Sequence, residues 1–147
     1  MQERTVAESL PRKQLAVAAP QSSVFEAACI MTRHRCGSVL VIDPARSLIG
    51  IFTERDLMTK VVAQSLDPRT TSVVDVMTPN PQSIPPETKV SDALLLMKGA
   101  GFRHLPVVSE ASGIVGVFSI RDALPHEIME AEQREEFIDD EMTKVLG

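Results

Sequence analysis

Thr53 and Asp56 stand three residues apart behind a short apolar run, and Ser119 and Asp122 repeat the arrangement. A hydroxyl followed three residues later by a carboxylate is how a helix start reads. The hydroxyl accepts from the third helical amide and the acid reaches back to the capping residue. The same groups have a second chemistry. The hydroxyl and the unpaired amides of a helix start can hold a phosphate, and a carboxylate, which only accepts, suits the two adjacent hydroxyls of a ribose. Cap and ligand site are both open readings, and they coexist only if the acid turns away from its own helix. Arg55 and Arg121 follow in the first turn, where a cation opposes the helix dipole; each is a solvated arginine or a contact for a phosphate or an acidic partner. Arg103 and His104 precede a strand in the second copy, where the first has Gly37 and Ser38. Arg offers paired donors and His one more, so the second copy would attract a polyphosphate more strongly, unless the pair is only a solvated loop end. Ile84 and Phe102 are candidate apolar walls around a base, with core packing as the alternative for Phe102.

Other chemistries find no support. His34, His104 and His126 show no metal-ligand spacing, and Cys29 and Cys36 form no CxxC pair, so both read as free thiols. Gly99-Ala100-Gly101 is a lone GxG without the Rossmann context, and there is no P-loop phrase. Ser, His and Asp occur without a nucleophile elbow. We expect no metal, no catalytic set and no enzyme.

The elements that must position these residues come from a duplication. Gly50-Ile51-Phe52-Thr53-Glu54-Arg55-Asp56 recurs 66 residues on as Gly116-Val117-Phe118-Ser119-Ile120-Arg121-Asp122. The same offset aligns residues 20–58 with 86–124 without a gap. Ten of the 39 pairs are identical, which, at one fixed spacing, marks a repeated module. Val24, Ala27, Ala28 and Met31 share one helical face in residues 23–35, with Gly37 as the stop; Val90, Ala93, Leu94 and Met97 do so in the second copy, ahead of Gly99 and Gly101. The runs 39–42 and 48–52, and 105–108 and 114–118, read as adjacent strands. A helix should start near Thr53 and another near Ser119. Short leading strands are expected near 15–18 and 82–84. This divides the chain into a first repeat (1–65), a join (66–72), a second repeat (73–126) and an acidic amphipathic helix (127–147), each repeat being too small to be comfortable alone.

Composition agrees with such a protein. The 147 residues are 44% apolar and 24% charged, with five Phe and neither Trp nor Tyr, so the core must be aliphatic. The N-terminus lacks a signal-like apolar stretch and no run approaches a membrane span; a cytoplasmic protein is expected. Of the net charge of −5, residues 127–147 contribute −6 and the rest +1. A near-neutral body with an acidic tail lacks the basic stripe of a nucleic-acid surface.

Val74-Asp75-Val76-Met77-Thr78-Pro79-Asn80-Pro81, then Arg103-His104-Leu105-Pro106-Val107-Val108, then the phrase ending at Asp122, resemble a CBS domain, the cystathionine β-synthase repeat. Residues 6–60 resemble a more divergent copy, and the pair is similar to a Bateman module across 1–124. The resemblance implies an α/β (α+β) fold: two small sheets flanked by helices in tandem repeats with pseudo-twofold symmetry, clefts between the halves, and frequent homodimers. It implies that the matching Thr53, Asp56, Ser119 and Asp122 hold an adenine nucleotide (AMP, ADP, ATP, NAD or S-adenosylmethionine) for regulation, with no cofactor required. Outside it, Leu124, Ile128, Ala131, Glu135, Ile138, Met142 and Val145 recur at steps of four and three, an apolar seam interrupted by Glu135. That helix docks on its own module, across a dimer, or on a regulated partner protein. The alternative function is therefore a ligand-free dimerisation scaffold that docks a partner through this helix.

Overall fold

Apolar residues at the spacings above settle into two clusters, one per compact unit. The computed structural model describes residues 3–11 and 14–146. One unit is Arg12–Gln82; the other joins Met1–Pro11 to Ser83–Gly147. Both are α+β, and the chain ends in a long helix.

In the first unit, Ser23 caps helix α2 (Val24–His34) by accepting from the Glu26 amide, and Val24, Ala27 and Met31 face the core. The sequence predicts a stop at Gly37, but the helix ends at Arg35, which adopts a left-handed φ of 52°. The equivalent residue after helix α5 (Val90–Ala100) is Gly101 at φ 76°, which tolerates that conformation without a Cβ penalty. Strand β1 (Val17–Ala18) runs parallel to β2 (Ser38–Ile42). That strand pairs antiparallel with β3 (Leu48–Thr53), and β3 with β4 (Thr78–Pro79). In the second unit, β5 (His104–Ser109) pairs antiparallel with β6 (Gly113–Ser119), and Ile84 makes a single parallel bridge to Val107 where the first unit has Ala18 against Val41. Each hairpin slips register at the same place, Val41/Ile42 and Val107/Val108. Phe52 and Phe118 are fully buried in their respective clusters.

The packing units do not follow the two sequence halves, because the leader of each repeat packs on the body of the other. Helix α1 (Val6–Ser9) belongs with the second body, where Val6 N donates to Thr88 O, Ala7 N to Pro86 O, and Val90 N to Arg4 O. Helix α4 (Val73–Val76) belongs with the first, where Val73 N donates to Ser22 O, Val74 N to Pro20 O, and Val24 N to Thr71 O. The three bonds correspond one to one. This exchange explains why the repeated phrase begins with glycine. A Cβ on Gly50 would overlap the Met77 sulfur, and one on Gly116 would lie 2.9 Å from Leu10 Cδ1. Met77 and Leu10 each follow a leader helix, so the leaders lie directly on the strands.

Past the phrase the two bodies differ. The first continues from helix α3 (Glu54–Asp56) into a π-helical turn, Leu57–Val62. The second makes one 3-10 turn, Ile120–Asp122, and breaks. Pro125 disfavours helix in the residue before it and then serves as a first helical residue, opening α6 (Pro125–Leu146). The C-terminal helix therefore starts two residues before the predicted 127.

Candidate functional site

Each hydroxyl–acid pair sits where a strand ends beside the head of its neighbour. Thr53 pairs across the sheet with Ser38 and Ser119 with His104. The following amide closes onto the preceding loop, Glu54 N donating to Gly37 O at 3.0 Å and Ile120 N to Arg103 O at 3.4 Å. The fold thus brings Arg103, His104, Ser119 and Asp122 together, and in the first copy Gly37, Ser38, Thr53 and Asp56.

Both pairs form the reciprocal cap. Thr53 Oγ1 accepts from Asp56 N at 3.1 Å while Asp56 Oδ2 accepts from Thr53 N at 3.0 Å. Ser119 N donates to Asp122 Oδ2 at 2.9 Å, and Ser119 Oγ accepts from Arg121 N at 3.3 Å. Neither acid turns away from its helix. The cap engages Oδ2 of each carboxylate, one of its two oxygens. The second mouth leads into a single 3-10 turn rather than a helix, so little aligned dipole backs it.

The remaining candidates are placed unevenly. Asp56 is buried and Asp122 half-buried. Asp56 Oδ1 pairs with Lys60 Nζ at 3.1 Å, an i,i+4 contact that the sequence analysis overlooked although its spacing was visible. Arg55, Arg121 and Arg103 are exposed and His104 half-buried. Ile84 lies in the apolar core with Val107 and Phe118, its amide donating to Pro106 O and its carbonyl accepting from Val108 N. Phe102, for which core packing was an alternative, is instead 39% exposed. Among the described residues there is no cluster of three or more side chains able to hold a metal ion.

Two residues with no sequence signal complete the second mouth. Arg4, from the exchanged leader, donates to the Asp122 carbonyl at 2.9 Å and grips Glu127 through two bonds of 2.7 and 3.2 Å. Glu127 is buried, and its Oε1 also accepts from Leu124 N at 2.7 Å, capping α6. Burial alone would raise the Glu127 carboxyl. The Arg4 guanidinium and the Leu124 amide outweigh it and hold the group below its ordinary 4.5.

The CBS domain family profile matches residues 6–63 and 73–126, so the chain belongs to the CBS-domain family and carries two copies of the domain. It is 38% identical over 119 residues to the CBS domain-containing protein CBSX3, mitochondrial, of Arabidopsis thaliana, covering 76% of this chain and 57% of the relative. The chain therefore spans under two thirds of that curated relative's length. Its fold matches a CBS-domain containing protein of Agrobacterium tumefaciens with a TM-score of 0.73 at 32% identity, covering 87% and 92% of the two chains. It also matches a CBS domain protein of Pyrobaculum aerophilum complexed with AMP, with a TM-score of 0.77 at 23% identity, covering 88% and 99%.

Proposed function

We propose that this chain is a regulatory module that binds an adenine nucleotide or a related adenosine ligand, AMP, ADP, ATP, NAD or S-adenosylmethionine, at its hydroxyl–acid mouths. The observation that carries the reading is the duplicated Thr53/Asp56 and Ser119/Asp122 arrangement, each beside a strand head, with Arg103 and His104 flanking the second. The AMP carried by the Pyrobaculum relative supports the ligand class. In this reading Asp122 and Asp56 accept ribose hydroxyls, and Ser119 and Thr53 meet phosphate. Arg103 and His104, with Arg121 and Arg55, attract the phosphate tail. Phe102 and Ile84 line the base. The role is regulatory rather than catalytic: occupancy shifts the module between conformations by the ligand's differential affinity for them.

Titration calorimetry with the five ligands on wild type and Asp122→Ala is the test. Loss of a charge-assisted contact worth about 1.5–3 kcal/mol weakens binding about 10- to 150-fold. Equal affinity in the two proteins removes Asp122 from the site, and no heat with any ligand rejects the reading. Asp56→Ala weakens the first mouth in the same direction.

A second reading, a ligand-free assembly module, draws on the engaged caps and on the Lys60 ion pair, which give both acids structural work. It gives no thermal shift with any adenine compound. Under either reading we assign a homodimer. Met58, Val62 and Leu66 are exposed at steps of four, and sedimentation equilibrium with Val62→Glu tests that assignment. The described residues contain no helix long and apolar enough to cross a membrane. We assign the chain to the cytoplasm, where its two free thiols would stay reduced; fractionation decides, since one relative is named mitochondrial.

A further inference from the structure

The seam of α6 is used only in part. Ala131 is buried, Ile128 is partly buried against the core, and the helix is tied across α5 by Arg134 to Asp92 at 2.8 Å and Lys98 to Glu135 at 2.6 Å. Beyond Glu135 the same line of residues continues, half exposed or more. Ile138, Met142 and Val145, at steps of four and three, are 51%, 56% and 81% exposed, and Phe137, further round the helix, is 66% exposed. A helix turns about 100° per residue, which sets Glu141 on one edge of this stripe and Asp139 on the other. Four large apolar side chains so bare on one short stretch are unusual on a surface that meets only water.

The charges choose between occupants. Residues 136–145 carry Glu136, Asp139, Asp140 and Glu141 against Lys144 alone, which pairs with Glu141 at 3.3 Å, so the stretch stays acidic. A second copy laid face to face would bring acidic rim against acidic rim. The one basic residue on the edge nearer the body, Arg134, is already paired with Asp92 and Ser91. We propose that residues 136–145 of α6 dock in an apolar groove of a protein partner whose rims carry Lys or Arg, with Ile138, Met142 and Val145 as the inserted side chains. Helix-in-groove recognition uses anchors at this spacing, and a basic rim meeting Glu141 and Asp139 speeds encounter and excludes like-charged surfaces. This inference needs no ligand at the hydroxyl–acid mouths and stands or falls apart from them.

The test uses the full chain and a defined probe, a fluorescently labelled helical hairpin whose two helices enclose a leucine-lined groove rimmed by lysines. Anisotropy should show saturable binding that weakens as salt rises. Ile138→Ser with Met142→Ser should weaken it roughly tenfold or more, since two buried apolar anchors are lost. Both positions are exposed, so the melting temperature should not move, which separates lost docking from lost folding. Lysine replaced by glutamate in the probe should abolish binding. Binding that is unchanged in the double variant, or carried by charge alone when the probe's leucines become serine, overturns the proposal. So does sedimentation showing that the double variant dissociates a dimer into monomers, because the face would then belong to a second copy.

Discussion

The two hydroxyl–acid mouths share a strand register, a cap and a loop carbonyl, yet they are held by different physics. At the first, Asp56 is buried and pairs with Lys60 on its own helix, and Val61 behind it is fully buried in the apolar cluster. At the second, the position 66 residues after Val61 is Glu127, a buried acid gripped by Arg4, and Arg4 also holds the Asp122 carbonyl. Behind the first mouth stands an apolar side chain, behind the second an acid paired with a half-buried arginine. Trimming a methyl group from packing costs about 1 kcal/mol, whereas removing one partner of an ion pair leaves the other charge less well compensated. The second mouth should be the more fragile and the more sensitive to pH.

Removing the acid breaks the comparison most severely. Glu127→Ala should cost about 1–3 kcal/mol, since it leaves the Leu124 amide without its acceptor and removes the carboxylate from Arg4, and thermal or urea unfolding reads the loss directly. Glu127→Val with Arg4→Met, which imitates the first mouth, should recover most of it. A loss in the double variant as large as in the single one would place the cost in the missing cap on the Leu124 amide rather than in an unpaired Arg4. The pH dependence has a fixed sign. Glu127 in the folded protein sits below its ordinary 4.5, so its contribution is fully present above that value and fades as pH falls through the folded one. The wild-type melting temperature should therefore drop in that acid window by more than that of the double variant.

Next in size are the glycines that open each repeated phrase. Gly50→Ala should cost about 1–3 kcal/mol by pushing Met77 off the strand. Gly116→Ala should cost less, because its new Cβ meets the end of a leucine at 2.9 Å rather than the body of a thioether. Denaturant midpoints of the two variants give the order. Equal midpoints would mean that the leaders lie on the two strands with equal slack.

These residues also show how far the chain alone could be read. The hairpins, α2 and α5 were legible because their apolar residues keep a strict period, and both hydroxyl–acid boxes were legible because a cap is a local arrangement. The exchange of leaders was not. It depends on hydrogen bonds such as Val6 to Thr88, between residues 82 apart, and no local pattern encodes which body a four-residue helix will choose. Arg4 and Glu127 were hidden for the same reason: an arginine near the N-terminus and one acid among eight look like solvated charge until the fold sets them 2.7 Å apart. The break after Asp122 had a visible cause in Pro125, but the resemblance of the two phrases suggested a helix in both.

The smallest effect concerns the ends of the paired helices. Arg35 and Gly101 occupy matching positions after α2 and α5, and both adopt left-handed backbone, φ 52° and φ 76°. A side chain in that region crowds its own carbonyl, at a cost of roughly 1 kcal/mol or slightly more, which glycine avoids. Glycine also has more freedom to lose on folding, a cost of roughly 0.5–1 kcal/mol relative to alanine in ordinary conformations. The two terms oppose each other, and the strained φ should win by a small margin. Arg35→Gly should therefore stabilise the protein by a few tenths of a kcal/mol to about 1 kcal/mol. Gly101→Arg, the reverse exchange, should destabilise it by a similar amount. The carbonyls of Met31 and Thr32 that accept from the Arg35 amide accept equally well from glycine, so the cap itself is unchanged. If Arg35→Gly lowers the melting temperature instead, the arginine side chain contributes a contact that outweighs its backbone strain, and the first repeat's departure from glycine is selected rather than tolerated.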